Sequence, residues 1–317
     1  MTTARAFLGI SHTPLLGLNP VAAEVSNELT DALIAAKSAV HAWKPDRVIL
    51  IGPDHYNGFF NELMPPFCIG TQASAVGDYG SPAGPLRVNE QEALALAEYL
   101  MDHGFDPAVS RRMVVDHGFA QALDLLWGGL DTPALIPIFV NAVAQPGIMR
   151  ISRCIALGRA LGAYLDMLEG RTLVIGSGGL SHEPPVPTLA HPDPGVRERI
   201  TVRNTLSEAD REAKTQRVMA AGRALAAGDP SVKPLAPDWD RRWMDALVSG
   251  KLESLASLTE SSIPEEAGRS AHESKTWLIA RAALSDQDTA DCALRYYRAI
   301  PEYIAGFGLL MLQAKSA

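Results

Sequence analysis

The sequence is poor in cysteine, in positive charge and in long apolar runs, and each shortage excludes something. It has three cysteines, Cys68, Cys154 and Cys292, in 317 residues. An odd, widely spaced set makes neither a disulfide framework nor a thiolate zinc site. It suits a reducing compartment, so a cytoplasmic location is expected. Lysine and arginine number 28 against 36 aspartates and glutamates, a formal net charge of −8. That balance argues against a general nucleic-acid binder, which must displace counterions from phosphate with cations. No apolar run approaches the roughly 18 residues of a membrane span. Stretches such as Val48-Ile49-Leu50-Ile51 are strand-sized. The N-terminal apolar stretch is short and stops at Ser11-His12, so it does not read as a signal peptide. Neither a nucleic-acid nor a membrane partner is therefore expected. Also missing are a Walker lysine, a GxGxxG spacing and a Gly-x-Ser-x-Gly elbow, which disfavours nucleotide binding and an α/β-hydrolase.

What is present is a regular alternation. Four short, branched-rich segments bounded by Gly, Pro or Asn read as strands buried on both faces: residues 6–10, 47–51, 134–140 and 172–175. Helical patterns lie between them. Asn19-Pro20 reads as the N-cap and first residue of a helix in which Val21, Val25, Leu29, Leu33, Ala36, Val40 and Trp43 recur at steps of three and four. Residues 90–102 form a second helix stopped by Gly104, and 151–168, 207–227 and 273–284 also fit helices. The pattern predicts an α/β fold: one layered domain over residues 1–317, with a central, largely parallel or mixed sheet flanked by helices. The charged, proline-bounded stretch at about 195–240 reads as a helical excursion, either a solvated surface helix or a lid or oligomer contact.

The histidines are distributed unevenly. Three strand segments run directly into one: Gly9-Ile10-Ser11-His12, Gly52-Pro53-Asp54-His55 and Gly176-Ser177-Gly178-Gly179-Leu180-Ser181-His182. Ligands of α/β sheets bind beyond the carboxyl ends of the strands, so these three imidazoles converge on one crevice. His117, in Val115-Asp116-His117-Gly118-Phe119, has a similar glycine-flanked setting. His103, before Gly104, fits a helix C-terminus; His41 lies on the first helix, and His191 has no evident task. A thiolate-poor, histidine-rich site suits a divalent first-row metal. Two histidines and a carboxylate point to non-haem iron, three neutral histidines to catalytic zinc. Asp54, Glu62, Asp116, Glu183 and Glu273 all lie near the site segments, and spacing does not choose among them. Gly176-Ser177-Gly178-Gly179 could also be an anion nest, a weak signal without a phosphate motif.

Several stretches together resemble the class III extradiol ring-cleavage dioxygenases of the LigB-like superfamily. They are Ser11-His12-Thr13-Pro14, Pro53-Asp54-His55-Tyr56-Asn57-Gly58-Phe59-Phe60, Met64-Pro65-Pro66-Phe67-Cys68, Val115-Asp116-His117-Gly118-Phe119-Ala120-Gln121, Gly176 to His182, His272-Glu273-Ser274-Lys275-Thr276-Trp277 and Arg295-Tyr296-Tyr297-Arg298 through Gly308. The resemblance covers nearly the whole chain and is weakest over about Arg197 to Ala227. It implies that His12, His55 and Glu273 hold Fe(2+), favouring Glu273 over its four rivals. It also implies that His182 and His117 are an acid–base pair, with His182 accepting a proton and His117 donating one. A catechol and O2 are then the substrates, and a homo-oligomer is implied.

The chemistry explains such a set. Triplet dioxygen reacts slowly with a singlet catechol, and iron can pass electron density between them. A catechol must lose protons to chelate, and a histidine near neutral pKa can take one. A second acid must then assist oxygen–oxygen cleavage. Two other readings stand beside this one: a family member acting on another catechol, such as a dihydroxyphenylalanine, and a non-catalytic metal-binding or interaction protein of the same fold. A catechol with an acidic side chain needs a cationic partner. Arg295 and Arg298 are candidates, with surface or inter-subunit pairing as the plainer explanation.

Overall fold

The four branched-rich segments become four neighbouring parallel strands at the centre of one sheet. The computed structural model describes residues 3–284 and 290–314; the ends of the expected 1–317 domain, residues 1–2 and 315–317, lie outside the described residues, as do 285–289. In chain order the first elements are β1 (Ala4–Ile10), α1 (Ala23–Trp43), β2 (Arg47–Gly52), β3 (Phe67–Gly70), β4 (Ala73–Val76), β5 (Ala83–Pro85) and α2 (Glu90–Asp102). Then come β6 (Ala108–Ser110), β7 (Met113–Val115), α3 (His117–Trp127), β8 (Leu135–Val140), α4 (Ile151–Asp166) and β9 (Arg171–Ser177). The chain continues through α5 (Pro194–Thr201), α6 (Glu208–Ala226), α7 (Pro237–Ser249), α8 (Ser262–Ala267) and α9 (Ser274–Ala282) to β10 (Ala290–Ile300) and β11 (Ala305–Ala314).

The main sheet has the order β10-β11-β1-β9-β2-β8-β3-β6, and β5-β4-β7 form a small second sheet. β1, β9, β2 and β8 run parallel. β11 is antiparallel to β1, β10 to β11 and β3 to β8, so the sheet is mixed. Alternation along each strand divides the core between the two faces. Phe7 joins the apolar layer containing Trp243 and Trp277, whereas Ala6, Leu8 and Ile10 join the layer containing Leu29, Phe119 and Leu123. Burial on both faces explains why these strands lack polar alternation.

The start of the first helix differs from expectation. α1 begins at Ala23 after Ala22, which makes no side-chain cap. Asn19 is buried and used elsewhere: its amide donates to the Met219 carbonyl at 3.0 Å and the Glu302 carbonyl at 2.8 Å. A long-range tie between α6 and the turn before β11 thus takes the residue that local chemistry would have spent on a cap. β10 and β11 were not anticipated, and neither were the short strands β3 to β7.

One close approach matters for the site. A methyl on Gly176 would lie 2.6 Å from the Thr276 carbonyl oxygen, and one on Gly178 would lie 2.5 Å from the Glu273 carbonyl oxygen. The glycines after β9 let the start of α9 lie directly on the strand end. Their small size serves this backbone packing.

Candidate active site

The carboxyl ends of the parallel strands open into a cavity of about 600 Å³ lined by His12, His55, His117 and His182. β1 delivers His12, β2 delivers His55, and the glycine-rich turn after β9 leads to His182. His117 is the first residue of α3, whose N-cap Asp116 accepts from the Gly118 amide. Glu273 closes a 3₁₀ turn (Arg269–Glu273) immediately before α9 and is fully buried.

All five side chains meet. Glu273 Oε2 lies 3.4 Å from His12 Nε2, and its Oε1 lies 3.1 Å from His55 Nε2 and 3.2 Å from His182 Nε2. The Gly179 amide donates to Oε2 at 2.9 Å. The His55 and His117 rings stack at 4.6 Å, and His12 sits edge-on to His117 at 5.3 Å. One donor atom each from His12, His55 and His117 lies within 4.8 Å of the others, close enough to share a metal ion.

The outer partners fix ring orientation. His12 Nδ1 lies 3.1 Å from Ser177 Oγ. His55 donates from both its backbone amide, at 2.8 Å, and Nδ1, at 3.0 Å, to Asp116 Oδ2. Asp78 holds His117 the same way, through its amide at 2.8 Å and Nδ1 at 2.7 Å. His182 Nδ1 lies 2.9 Å from the Leu180 carbonyl oxygen. Each ring therefore turns its other nitrogen inward, as in metal sites whose ligands are oriented from behind.

Burial and charge act against each other here. Burial lowers the His12 pKa to about 3, more than the attraction of Glu273 can raise it, so this ring is neutral. Burial would also lower His55 and His182, but Asp116 and Glu273 raise the first well above its ordinary value, and Glu273 raises the second. Burial would raise Glu273, yet the facing His182 and His12 hold it well below the usual carboxylate range. A neutral imidazole, two orientable imidazoles and a charged carboxylate, with no thiolate, are a donor set that fits a divalent first-row metal ion.

The rival carboxylates have other partners. Asp54 organises the turn after β2, accepting from the amides of Asn57, Gly58 and Phe59, and burial beside Asp116 raises its pKa to about 7. Glu62 is exposed, Asp116 backs His55, and Glu183 binds Arg269 at 2.9 Å. Arg295 and Arg298 do not line the cavity. They sit on β10, paired with Asp245 at 2.6 Å and Glu28 at 2.9 Å, so the plainer surface-pairing explanation applies. Of the other histidines, His103 is the C-cap of α2, exposed His41 contacts the Leu126 carbonyl, and His191 lies on the cavity wall. Asp78 and Tyr79 escaped the sequence reading; the glycines on either side of Asp78-Tyr79 were the available sign of a tight, purposeful turn.

The fold and the site define an α/β protein with a buried histidine–carboxylate centre whose donor atoms could hold a metal ion. Residues 6–308 match the family described as the catalytic LigB subunit of aromatic ring-opening dioxygenase. The chain belongs to this family. It is 64% identical over 312 residues to a protein of Comamonas testosteroni named 2,3-dihydroxyphenylpropionate/2,3-dihydroxicinnamic acid 1,2-dioxygenase, covering 98% of this chain and 97% of that one. Proteins of the same name from a Rhodococcus species and from Burkholderia vietnamiensis are 46% and 47% identical, covering 96% and 95% of each chain. Among solved structures, an uncharacterized protein of Escherichia coli K12 shares the fold, with a TM-score of 0.51 at 13% identity, over 99% of this chain and 100% of that one.

Proposed function

We propose that the protein is a ferrous extradiol dioxygenase that cleaves 3-(2,3-dihydroxyphenyl)propanoate with O2 to give 2-hydroxy-6-oxonona-2,4-dienedioate. The cinnamate analogue would give the corresponding trienedioate. The observation that carries this reading is the meeting of four histidines at one substrate-sized cavity, with Glu273 buried against three of them, in a chain of the ring-opening dioxygenase family. The names of the similar proteins support the substrate.

His12, His55 and Glu273 would hold the iron. When bound, iron(II) supplies a meeting point through which catechol and dioxygen exchange electrons. The remaining steps fall to the chain. The Leu180 carbonyl holds a proton on His182 Nδ1, and with Glu273 engaged by the iron Nε2 would be released to accept a proton from a catechol hydroxyl. His117 is held from behind by the Asp78 carboxylate through Nδ1, which leaves Nε2 facing the cavity. It is therefore the proton donor for oxygen–oxygen cleavage. Val186, Ile200 and Val218 line the cavity above the histidines, where an aromatic ring can exclude water.

We place the enzyme in the cytoplasm as a homo-oligomer. Cys68, Cys154 and Cys292 are unpaired, which supports the compartment. Among the described residues no helix is long and apolar enough to cross a membrane. The 11-residue β10, the terminal strand of the main sheet among the described residues, supports association, because an edge strand can pair with another chain.

The test is anaerobic loading with ferrous iron, followed by oxygenated catechols. A yellow, iron-dependent product from the propanoate is expected. Full iron occupancy without product from any catechol would sink the reading and favour a binding protein.

A further inference from the structure

We propose that Lys214, flanked by Arg199 and Arg217, receives the side-chain carboxylate of the substrate and sets the preference for anionic catechols. The inference rests on the catechol reading above and adds the determinant of substrate charge. All three residues line the histidine cavity and come from α5 and α6, the charged excursion.

Lys214 is the one tied to the site. Its ammonium donates to the His55 carbonyl oxygen at 3.3 Å and stands 5.8 Å from the centre of the Tyr79 ring. Tyr79 in turn meets His117 edge-on at 5.0 Å. The ammonium thus lines the cavity one aromatic ring away from the histidine cluster. An ammonium has three donors, and only one has a partner among the described residues.

The charges around it are not neutralised by the protein. Among the described residues Lys214, Arg199 and Arg217 form no ion pair, whereas the fourth cation of the cavity, Arg269, is bound to Glu183. Asp210, the acidic residue on the cavity wall, is drawn back to Ser207 Oγ at 2.6 Å, at the start of α6. Other α6 charges have partners elsewhere: Glu212 accepts from Gln216, and Arg223 donates to Asn19. Three cations without ion-pair partners converge on one cavity, in a chain of net charge −8, and repel one another. A carboxylate in the cavity relieves that repulsion and fills the open donors.

The experiment compares 3-(2,3-dihydroxyphenyl)propanoate with 3-ethylcatechol, which keeps the ring and loses the charge. Iron-loaded parent, Lys214→Gln and Lys214→Arg are measured by anaerobic calorimetry for binding and by steady-state kinetics for turnover. The parent should prefer the propanoate. In Lys214→Gln the ratio of kcat/KM for propanoate over 3-ethylcatechol should fall about 10–100-fold, the scale of one hydrogen bond to a charged group. The fall should be carried by KM, with a matching loss of propanoate affinity, and Lys214→Arg should restore most of it. An unchanged ratio in Lys214→Gln, or a parent without preference, overturns the assignment while leaving ring cleavage intact. A parent that cleaves neither catechol overturns the functional reading itself, and this inference with it.

Discussion

Replacing Gly178 by alanine asks whether the end of β9 holds Glu273 in place. The added methyl would lie 2.5 Å from the Glu273 carbonyl oxygen and 2.9 Å from its carbonyl carbon. Both are backbone atoms, so no side-chain rotation relieves the clash. Restoring an ordinary contact of 3.4 Å parts α9 from β9 by about 1 Å. A functional constellation tolerates roughly 0.5 Å of misplacement, so the carboxylate leaves its position between His12 and His55. Ferrous-iron affinity should fall about 10–100-fold, as when the groups orienting metal ligands are removed. Overpacking should cost about 1–3 kcal/mol of stability. Chelator competition under anaerobic conditions measures the first effect, and thermal melts the second. Gly179→Ala is the control. Its methyl falls on the His182 ring, a side chain that can turn away. Iron should stay bound while turnover drops about 100–10,000-fold, the range of a lost acid–base group. A Gly178→Ala variant that binds iron as tightly as the parent would refute the reasoning, and so would equal iron loss in both variants.

Three further outcomes follow from the same geometry. Asp116→Asn removes the charge behind His55 at a fully buried position, so iron affinity should drop about 10–100-fold in chelator competition; parent-like affinity would remove Asp116 from that role. The metal-free protein should lose thermal stability as pH rises. His55 and His182 have raised pKa values, so their contribution is full below their ordinary value of 6.5 and is lost as pH climbs through the folded values. Glu273 works in the opposite sense, contributing above its ordinary 4.5 and losing that contribution as pH falls through its lowered value. Metal binding must displace the His55 proton, so apparent iron affinity should rise with pH above 6.5, with proton release seen by calorimetry in buffers of different ionisation enthalpy; a pH-independent affinity would contradict the assigned charge state. Finally, Arg295→Gln and Arg298→Gln should each leave KM for the propanoate within about twofold, since exposed pairs contribute little; a large rise in KM would reinstate them at the substrate.

Much of the site could be read in the chain because its parts follow buried strands. A short apolar run ending in Ser11-His12 or Pro53-Asp54-His55 carries both the element and the ligand in consecutive residues. Glu273 was different. Its partners are His12, His55, His182 and the Gly179 amide, all far away in sequence, and locally it looks like any acid in a first helical turn. The glycines after β9 were visible, but their reason was not, because that reason is the backbone of α9. Asn19 misled for the same cause: a good cap in local chemistry is claimed by Met219 and Glu302. β11 is an almost continuous apolar run, and its strand character comes from pairing with β1 at the other end of the chain.

The sheet order sets a sequence of events for the newborn protein. His55 and Glu273 meet across 218 residues, and β1 is held between β9 on one side and β11 on the other. No fragment that stops short of Glu273 contains the whole centre, and one that stops short of β11 leaves β1 open along an edge. Contacts of such long range form late and slowly. On the proposed reading, the complete centre therefore follows the closing of the sheet, because Glu273 joins His12 and His55 only then. A metal held only by the closed chain, as proposed, would stabilise it in proportion to the logarithm of the free metal concentration.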